Sequence, residues 1–402
     1  MKNKHYRLGD LISIKHGFAF SGEYIQEDDN GVVLVTPGNF RIGGGFQENK
    51  CKFFSGDIPN AYILKAGDFI VTMTDLSKTI DTLGYSAFVP NTNRKYLHNQ
   101  RIGLVSIISD ECDRDYLYWL MRTHYYQKSI ANTSTGATVH HTSPAKIYEF
   151  EFDAPDITEQ RSIASVLSTY DDLIENNQKQ IKLLEEAAQR LYKEWFVDLR
   201  FPGYEDVQIM DGVPEGWKKT TIENKCTLKK TIVRPEETQT GTAYIGLEHI
   251  PRHDFCLSNW GDASEVSSNK YIYNQKDIIF GQIRPYFHKV GFAINDGVAS
   301  TDSFIMKPDE RCWGLFLLTV SSDAFVQFAY QTCKEGAKMP RADWRQMKEY
   351  PLLIPGSSVL CRFETFVAEI TDRIRTIVLQ NRYLTESRNR LLPKLMSGEI
   401  EL

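Results

Sequence analysis

The sequence predicts an α+β fold in tandem repeat: two mixed domains, each followed by a long helix, with the helices pairing as an antiparallel coiled coil. Three observations carry this reading. Much of the 402-residue chain realigns on itself at one fixed offset of 200. At the end of each copy the hydrophobic period changes from 2 to 3.5. Each 3.5-period run holds one asparagine, and only one relative direction of the helices brings the two asparagines together.

The offset is easiest to see from residue 134 onward. Ser134-Thr135-Gly136-Ala137-Thr138-Val139 falls on Lys334-Glu335-Gly336-Ala337-Lys338-Met339, then Glu149 on Glu349, Pro155 on Pro355, Asp172 on Asp372, and Arg190-Leu191 on Arg390-Leu391. Upstream, Ala66 to Val71 resembles Gln275 to Phe280 at an offset of 209. Within each domain, short β-branched and aromatic runs such as Gly31 to Thr36 and Asp68 to Met73 are bounded by Gly, Asn or Pro and read as strands. Asp115 to Arg122 reads as a helix start, with Leu315 to Phe328 as its counterpart. The organisation is then domain 1 over residues 1–155, helix 1 over 156–200, domain 2 over 201–355 and helix 2 over 356–402. Each domain, at about 150 residues, is large enough for its own core.

Asp156-Ile157-Thr158-Glu159 has the form of a capping box and opens helix 1. Ile163, Leu167, Tyr170, Ile174, Asn177, Ile181, Leu184, Ala188, Leu191 and Trp195 then follow at alternating steps of 4 and 3. The second copy runs Phe363, Val367, Ile370, Ile374, Ile377, Asn381, Leu384, Arg388, Leu391 and Leu395 with the same steps. Neither Gly nor Pro interrupts 159–197, which as a helix would extend ~57 Å. Parallel packing in the repeat register would set Asn177 against Ile377 and leave its amide unpaired, at a cost on the order of 1–3 kcal/mol. Antiparallel packing sets Asn177 against Asn381, Ile163 against Leu395 and Trp195 against Phe363.

Composition narrows the class. A net charge of −5, with 42% hydrophobic and 25% charged residues, is an ordinary globular balance without the basic excess common in nucleic-acid binders. Residues 1–155 hold 16 basic and 17 acidic side chains and residues 201–355 hold 18 and 20, so any nucleic-acid footprint must be a local patch. Seven cysteines without a close pair point to reduced thiols. No apolar run approaches the ~18 residues of a membrane span, and Met1 to Asp10 lacks a secretory core, so a cytoplasmic location is expected.

Several segments carry a family resemblance. Pro155-Asp156-Ile157-Thr158-Glu159-Gln160-Arg161 opens helix 1 and Trp195-Phe196-Val197-Asp198 closes it. Phe201-Pro202-Gly203 leads to Gly212-Val213-Pro214-Glu215-Gly216-Trp217, and Leu391 to Ile400 ends the second helix. These segments, in a chain of two domains each followed by a helix, resemble the DNA-specificity subunit of Type I restriction–modification systems. One departure is Val359-Leu360-Cys361-Arg362, which stands where the first copy has Glu159-Gln160. The resemblance implies a non-catalytic reader of double-stranded DNA whose two target-recognition domains each recognise one half of a split target. The helix pair would set the spacing and dock methylation subunits, and a restriction/motor subunit would join them. S-adenosylmethionine, ATP and Mg²⁺ are expected on those partners, with no cofactor in this chain.

The residues themselves point the same way. Gly43-Gly44-Gly45-Phe46 is too short and wrongly placed for a dinucleotide loop, and no Gly-x-x-x-x-Gly-Lys-Ser/Thr run or Asn-Pro-Pro-aromatic tetrapeptide occurs. His140-His141 aligns with Pro340-Arg341 and lacks a nearby third ligand, so neither a catalytic residue nor a metal site is expected. His140 is instead a loop contact to DNA or a plain surface histidine. After a predicted strand of copy 2, Gln282, Arg284, His288 and Lys289 gather donors of the kind that read guanine and adenine edges. The matching place in copy 1 holds Thr72, Thr74 and Lys78. A second loop, around Gly136 and Gly336, adds Lys338, Arg341 and Arg345 in copy 2. Arg284 is the leading base reader. The rival readings are a self-contained methylase or nuclease, which binding of S-adenosylmethionine by the isolated chain would favour, and a coiled-coil assembly scaffold, which sequence-independent DNA binding would favour.

Overall fold

The structure is a computed structural model that describes residues 4–77, 79–334 and 336–402. The chain forms two compact units, Met1–Leu173 with Leu384–Leu402, and Ile174–Tyr383. Each therefore combines one domain with part of both long helices.

In the first unit, strands Ile12–His16, Ile102–Ile107, Phe69–Thr72 and Ser86–Phe88 lie side by side in that order, all antiparallel. A second sheet orders Ile25–Gln26, Lys52–Phe54, Val32–Val35, Lys95–His98 and Ile63–Leu64, with 32–35 and 95–98 parallel. Alternation along Phe69–Thr72 shows why this strand is buried on both faces. Ile70 packs between the sheets with Val33, Val35 and Ile102, whereas Phe69 and Val71 face the helices with Tyr116, Trp119, Ile163 and Leu395. The layers are thus sheet, sheet and helices. In the second unit, Cys226–Lys229, Ser303–Pro308, Ile278–Gly281 and Val290–Ala293 repeat the order of the first sheet. Gly261–Asp262, Ala243–Ile245, Gly297–Ala299 and Lys270–Tyr273 repeat the middle of the second. The copies differ at an edge: Ile25–Gln26 pairs with 52–54, but Ile232–Val233 pairs at the opposite side, with 270–273.

The helix expected from Leu315 to Phe328 is two helices, Trp313–Val320 and Asp323–Gln331, as are their counterparts Arg114–Leu120 and His124–Asn132. Side-chain caps cause the break: Ser322 Oγ accepts from the Phe325 amide and Thr123 Oγ1 from the Tyr126 amide, both at 3.2 Å. Among the described residues, no single helix is long and apolar enough to cross a membrane. All seven cysteines are free thiols.

Long helices span Ile157–Tyr192 and Ser357–Met396, the first ending in a π-helical turn over Lys193–Val197. Asp156 caps the first through the amides of Thr158 and Glu159. Within each unit they run antiparallel. In the second, the Asn177 amide donates to Asn381 Oδ1 at 2.8 Å, and the Trp195 and Phe363 rings lie 5.7 Å apart. In the first, Ile163 and Leu167 share a core with Leu392 and Leu395. The asparagine pair sets a test. Asn177→Leu strands a partly buried amide and is expected to cost about 1–3 kcal/mol in urea unfolding, while Asn177→Leu with Asn381→Leu restores most of it. A double variant no more stable than the single one would mean that the pair is not coupled.

Polar groups fasten domains to helices within each unit. Gln160 Oε1 accepts the Asp113 amide at 2.9 Å and the Cys112 thiol at 3.0 Å. At the start of helix 2, Glu364 takes over this work one turn later, accepting the Gly314 and Leu315 amides at 2.7 and 2.9 Å. The departure at 359–362 is thereby compensated. Glu185, buried on helix 1, accepts the Phe255 and Cys256 amides with the same oxygen at 2.8 and 2.7 Å. Burial, reinforced by Asp254, pushes its carboxyl up to about 8.

Arg122 is 4% exposed and donates to Asp171 Oδ2 at 2.6 Å, Tyr118 Oη at 2.7 Å and the Gly43 carbonyl at 3.0 Å. Arg388 reaches the other oxygen of Asp171, and Arg41 interacts electrostatically with the same carboxylate. The glycine run serves this arginine: a Cβ on Gly44, at φ +80°, would sit 2.4 Å from Arg122 Cγ.

Candidate nucleic-acid interface

Long-range backbone pairing makes one surface of the two candidate loops of copy 2. Strand Ile278–Gly281 delivers Gln282, whose amide donates to the Asp302 carbonyl at 2.8 Å and whose carbonyl accepts the Ala342 amide at 2.9 Å. Ile283 and Arg341 form an antiparallel bridge, and the Arg284 amide donates to the Pro340 carbonyl at 2.8 Å. Arg284 is held at φ +51°, the left-handed region that a side chain enters at a cost of about 1–3 kcal/mol. The price is met by that bond and by the 3-10 turn Pro285–Phe287 it opens. The result is an exposed guanidinium over the Phe287 ring, 5.9 Å from its centroid. Among the described residues no ion pair neutralises it. Arg341 and Arg345 differ: they are exposed but paired, with Asp302 and Asp343, each at 2.8 Å. Lys338 is exposed and Gln282 half-buried.

Copy 1 builds the same pairing with other side chains. Thr74–Asp75 pairs antiparallel with His140–His141, and Thr74 Oγ1 lies 3.1 Å from His141 Nδ1. Asp75, buried beneath them, accepts from the Ser77 amide at 2.6 Å and from the Thr82 amide and hydroxyl at 2.5 and 2.7 Å, fixing the turn that follows. Burial opposes ionisation of Asp75, but these donors hold its carboxyl below the usual range. His140 is half-buried on this ribbon, and Lys78 lies outside the described residues.

Four of the residues singled out in the sequence are turned inward. Thr72 is fully buried and its hydroxyl donates to the Thr74 carbonyl at 2.9 Å. Thr74 is also buried, against His141. His288 is 5% exposed because its left-handed backbone, at φ +51°, directs the ring to the Ser321 carbonyl, 2.9 Å away. Lys289 spends its ammonium on the Leu247 carbonyl, and burial lowers its pKa. None of the four presents a free group to DNA. Sequence reasoning missed Arg252, which is exposed and stacked 4.1 Å over the Phe287 ring, and the exposed Tyr286–Tyr330 pair, 5.4 Å between centroids. Tyr286 stood within the loop already singled out, whereas nothing near Arg252 in sequence signals it.

Residues 2–186 match the family model described as the Type I restriction modification DNA specificity domain. The MjaIX specificity subunit of Methanocaldococcus jannaschii, a Type I restriction enzyme, is 25% identical over 306 residues, covering 72% of this chain and 69% of its own. The HindI specificity subunit of Haemophilus influenzae is 21% identical, with 99% of both chains covered. The first domain of this chain and most of helix 1 thus match a Type I specificity domain, and along its length the chain is similar to Type I specificity subunits. Among solved structures, the S subunit of a Type I system from M. genitalium matches with a TM-score of 0.57 at 14% identity, covering 98% of this chain and 96% of that one, which shows the shared fold. The family match ends at residue 186, in the last two turns of the α-helical span Ile157–Tyr192, and the second half shares the strand order of the first.

Proposed function

We propose that this chain is a Type I specificity subunit, a non-catalytic reader of double-stranded DNA. Target-recognition domains 1–155 and 201–355 each take one half of a bipartite site. The helix pair, residues 156–200 and 356–402, sets the spacing and docks methylation subunits. The observation that carries this reading is the loop pair present in both copies at equivalent strands but with unlike chemistry. One copy offers His140 and His141, whereas the other offers Arg284 and Arg341. A strand frame shared by both copies, with different donors at its end, is what two readers of different half-sites require. Partner subunits would supply S-adenosylmethionine, ATP and Mg²⁺, with a restriction/motor subunit among them, in the cytoplasm.

Mapping methylated adenines in DNA from cells carrying this chain with its partners tests the reading. The expected result is a split motif with a fixed gap, and a single contiguous motif would overturn it. Within that assay, Arg284→Ala is expected to lose roughly 1–3 kcal/mol of binding and to relax one base position. Lys338→Ala should weaken every sequence about equally. Uniform loss on all DNAs for Arg284→Ala would remove it from the base readers.

A further inference from the structure

His253, His288 and Asp323 are far apart in sequence, yet the structure gathers them beside the Arg284 loop, with their ligand atoms all within 4.8 Å of one another. Two backbone conformations that side chains rarely adopt, φ +65° at His253 and +51° at His288, bring the imidazoles together. The His253 amide donates to the His288 carbonyl at 3.1 Å, and the ring centroids are 4.5 Å apart.

The hydrogen bonds fix what each nitrogen can do. A carbonyl only accepts, so His288 Nε2, 2.9 Å from the Ser321 carbonyl, carries the ring's hydrogen. In the neutral ring Nδ1 is then a bare lone pair, and it faces the Asp323 carboxylate at 3.2 Å. Two acceptors this close attract a cation between them. A proton would serve one pair only. It would join His288 to Asp323 and leave the adjoining His253 imidazole, its ring centroid 4.5 Å from that of His288, without a role.

We propose that His253, His288 and Asp323 bind one divalent transition metal ion of the zinc class, which fastens the Arg252 loop to the Arg284 loop. Two imidazole nitrogens and a carboxylate are a ligand set this metal takes, at ~2.0–2.2 Å per bond, with the fourth position left to water. The hydrogen bond from His288 to the Ser321 carbonyl is the outer-shell contact that orients a ligating imidazole. Closing the ligands to bonding distance requires movement of His253 and Asp323, and both are free to supply it. His253 is exposed and the Asp323 side chain is 92% exposed. Arg252 and Arg284 both lie over the Phe287 ring, next to His288, so the metal would hold both candidate DNA contacts on one rigid corner. The site goes beyond the DNA-reading proposal, because metal binding is measured without DNA.

The full chain, stripped with a chelator, is titrated with Zn²⁺ by calorimetry and with Co²⁺ by visible absorption. One equivalent is expected to bind, without the thiolate charge-transfer band that a site at the exposed Cys361 would give. His253→Ala and Asp323→Ala change surface groups and should each lower the affinity by at least about tenfold while the circular dichroism stays unchanged. Absence of binding at submillimolar metal, or binding unaltered in both variants, would overturn the proposal.

Discussion

Asp171→Ala is expected to lower the stability of this chain by about 3–5 kcal/mol, because it removes the carboxylate between two arginines of the first unit, one of them buried. Arg122 would keep its bonds to Tyr118 and the Gly43 carbonyl, but its charge would be buried without a counterion. Burial disfavours the charged form of Asp171, yet Arg122 and Arg388 outweigh it and hold the carboxyl below its ordinary value. A depressed carboxyl stabilises the fold above the unfolded value near 3.8, and the gain is lost as pH falls through the lower folded value. Urea unfolding of the wild type and variant should therefore differ at pH 7 and converge in strong acid. A loss under about 1 kcal/mol at pH 7 would show that Arg122 finds other compensation.

Glu185 gives the opposite sign. Its carboxyl is pushed up to about 8, so between the unfolded value of 4.5 and 8 the native state holds a proton that the unfolded chain has released. Stability then falls as pH rises through this window, by about 1.4 kcal/mol per pH unit. Glu185→Gln keeps the oxygen that accepts the Phe255 and Cys256 amides and has no proton to lose. Gln160 does equivalent work in the first unit with an amide oxygen, so the chemistry has a precedent within the chain. At pH 8 the variant should exceed the wild type by on the order of 4 kcal/mol, with the gap closing below pH 5. Parallel stability curves for the two proteins across this range would refute the assignment.

Legibility in the sequence followed the range of the physics involved. Asn177 and Asn381 could be matched by counting, because a 3.5-residue period turns register into arithmetic and an unpaired amide is costly. The Arg284 loop was visible as donors after a strand, but its bridge to 340–342 was not, since nothing local encodes which distant loop answers a backbone amide. His288 was misread for a related reason: a left-handed residue after a 3-10 turn reverses the expected side-chain direction. Thr72 and Thr74 looked like a loop's polar face, yet burial on both sides of the strand leaves no solvent face there. Glu364 escaped the repeat because compensation by one helical turn breaks a fixed offset of 200. The metal-ligating group has no spacing signature, since three separate segments supply it.

The make-up of the first unit has a consequence for how the protein is born. Its core includes Leu392 and Leu395, which emerge from the ribosome only after the 210 residues of 174–383. At roughly 5–20 residues per second, the first domain waits about 10–40 s with the surface around Ile163 and Leu167 uncovered. Synthesis order therefore favours completion of the second unit first, although its domain is made last.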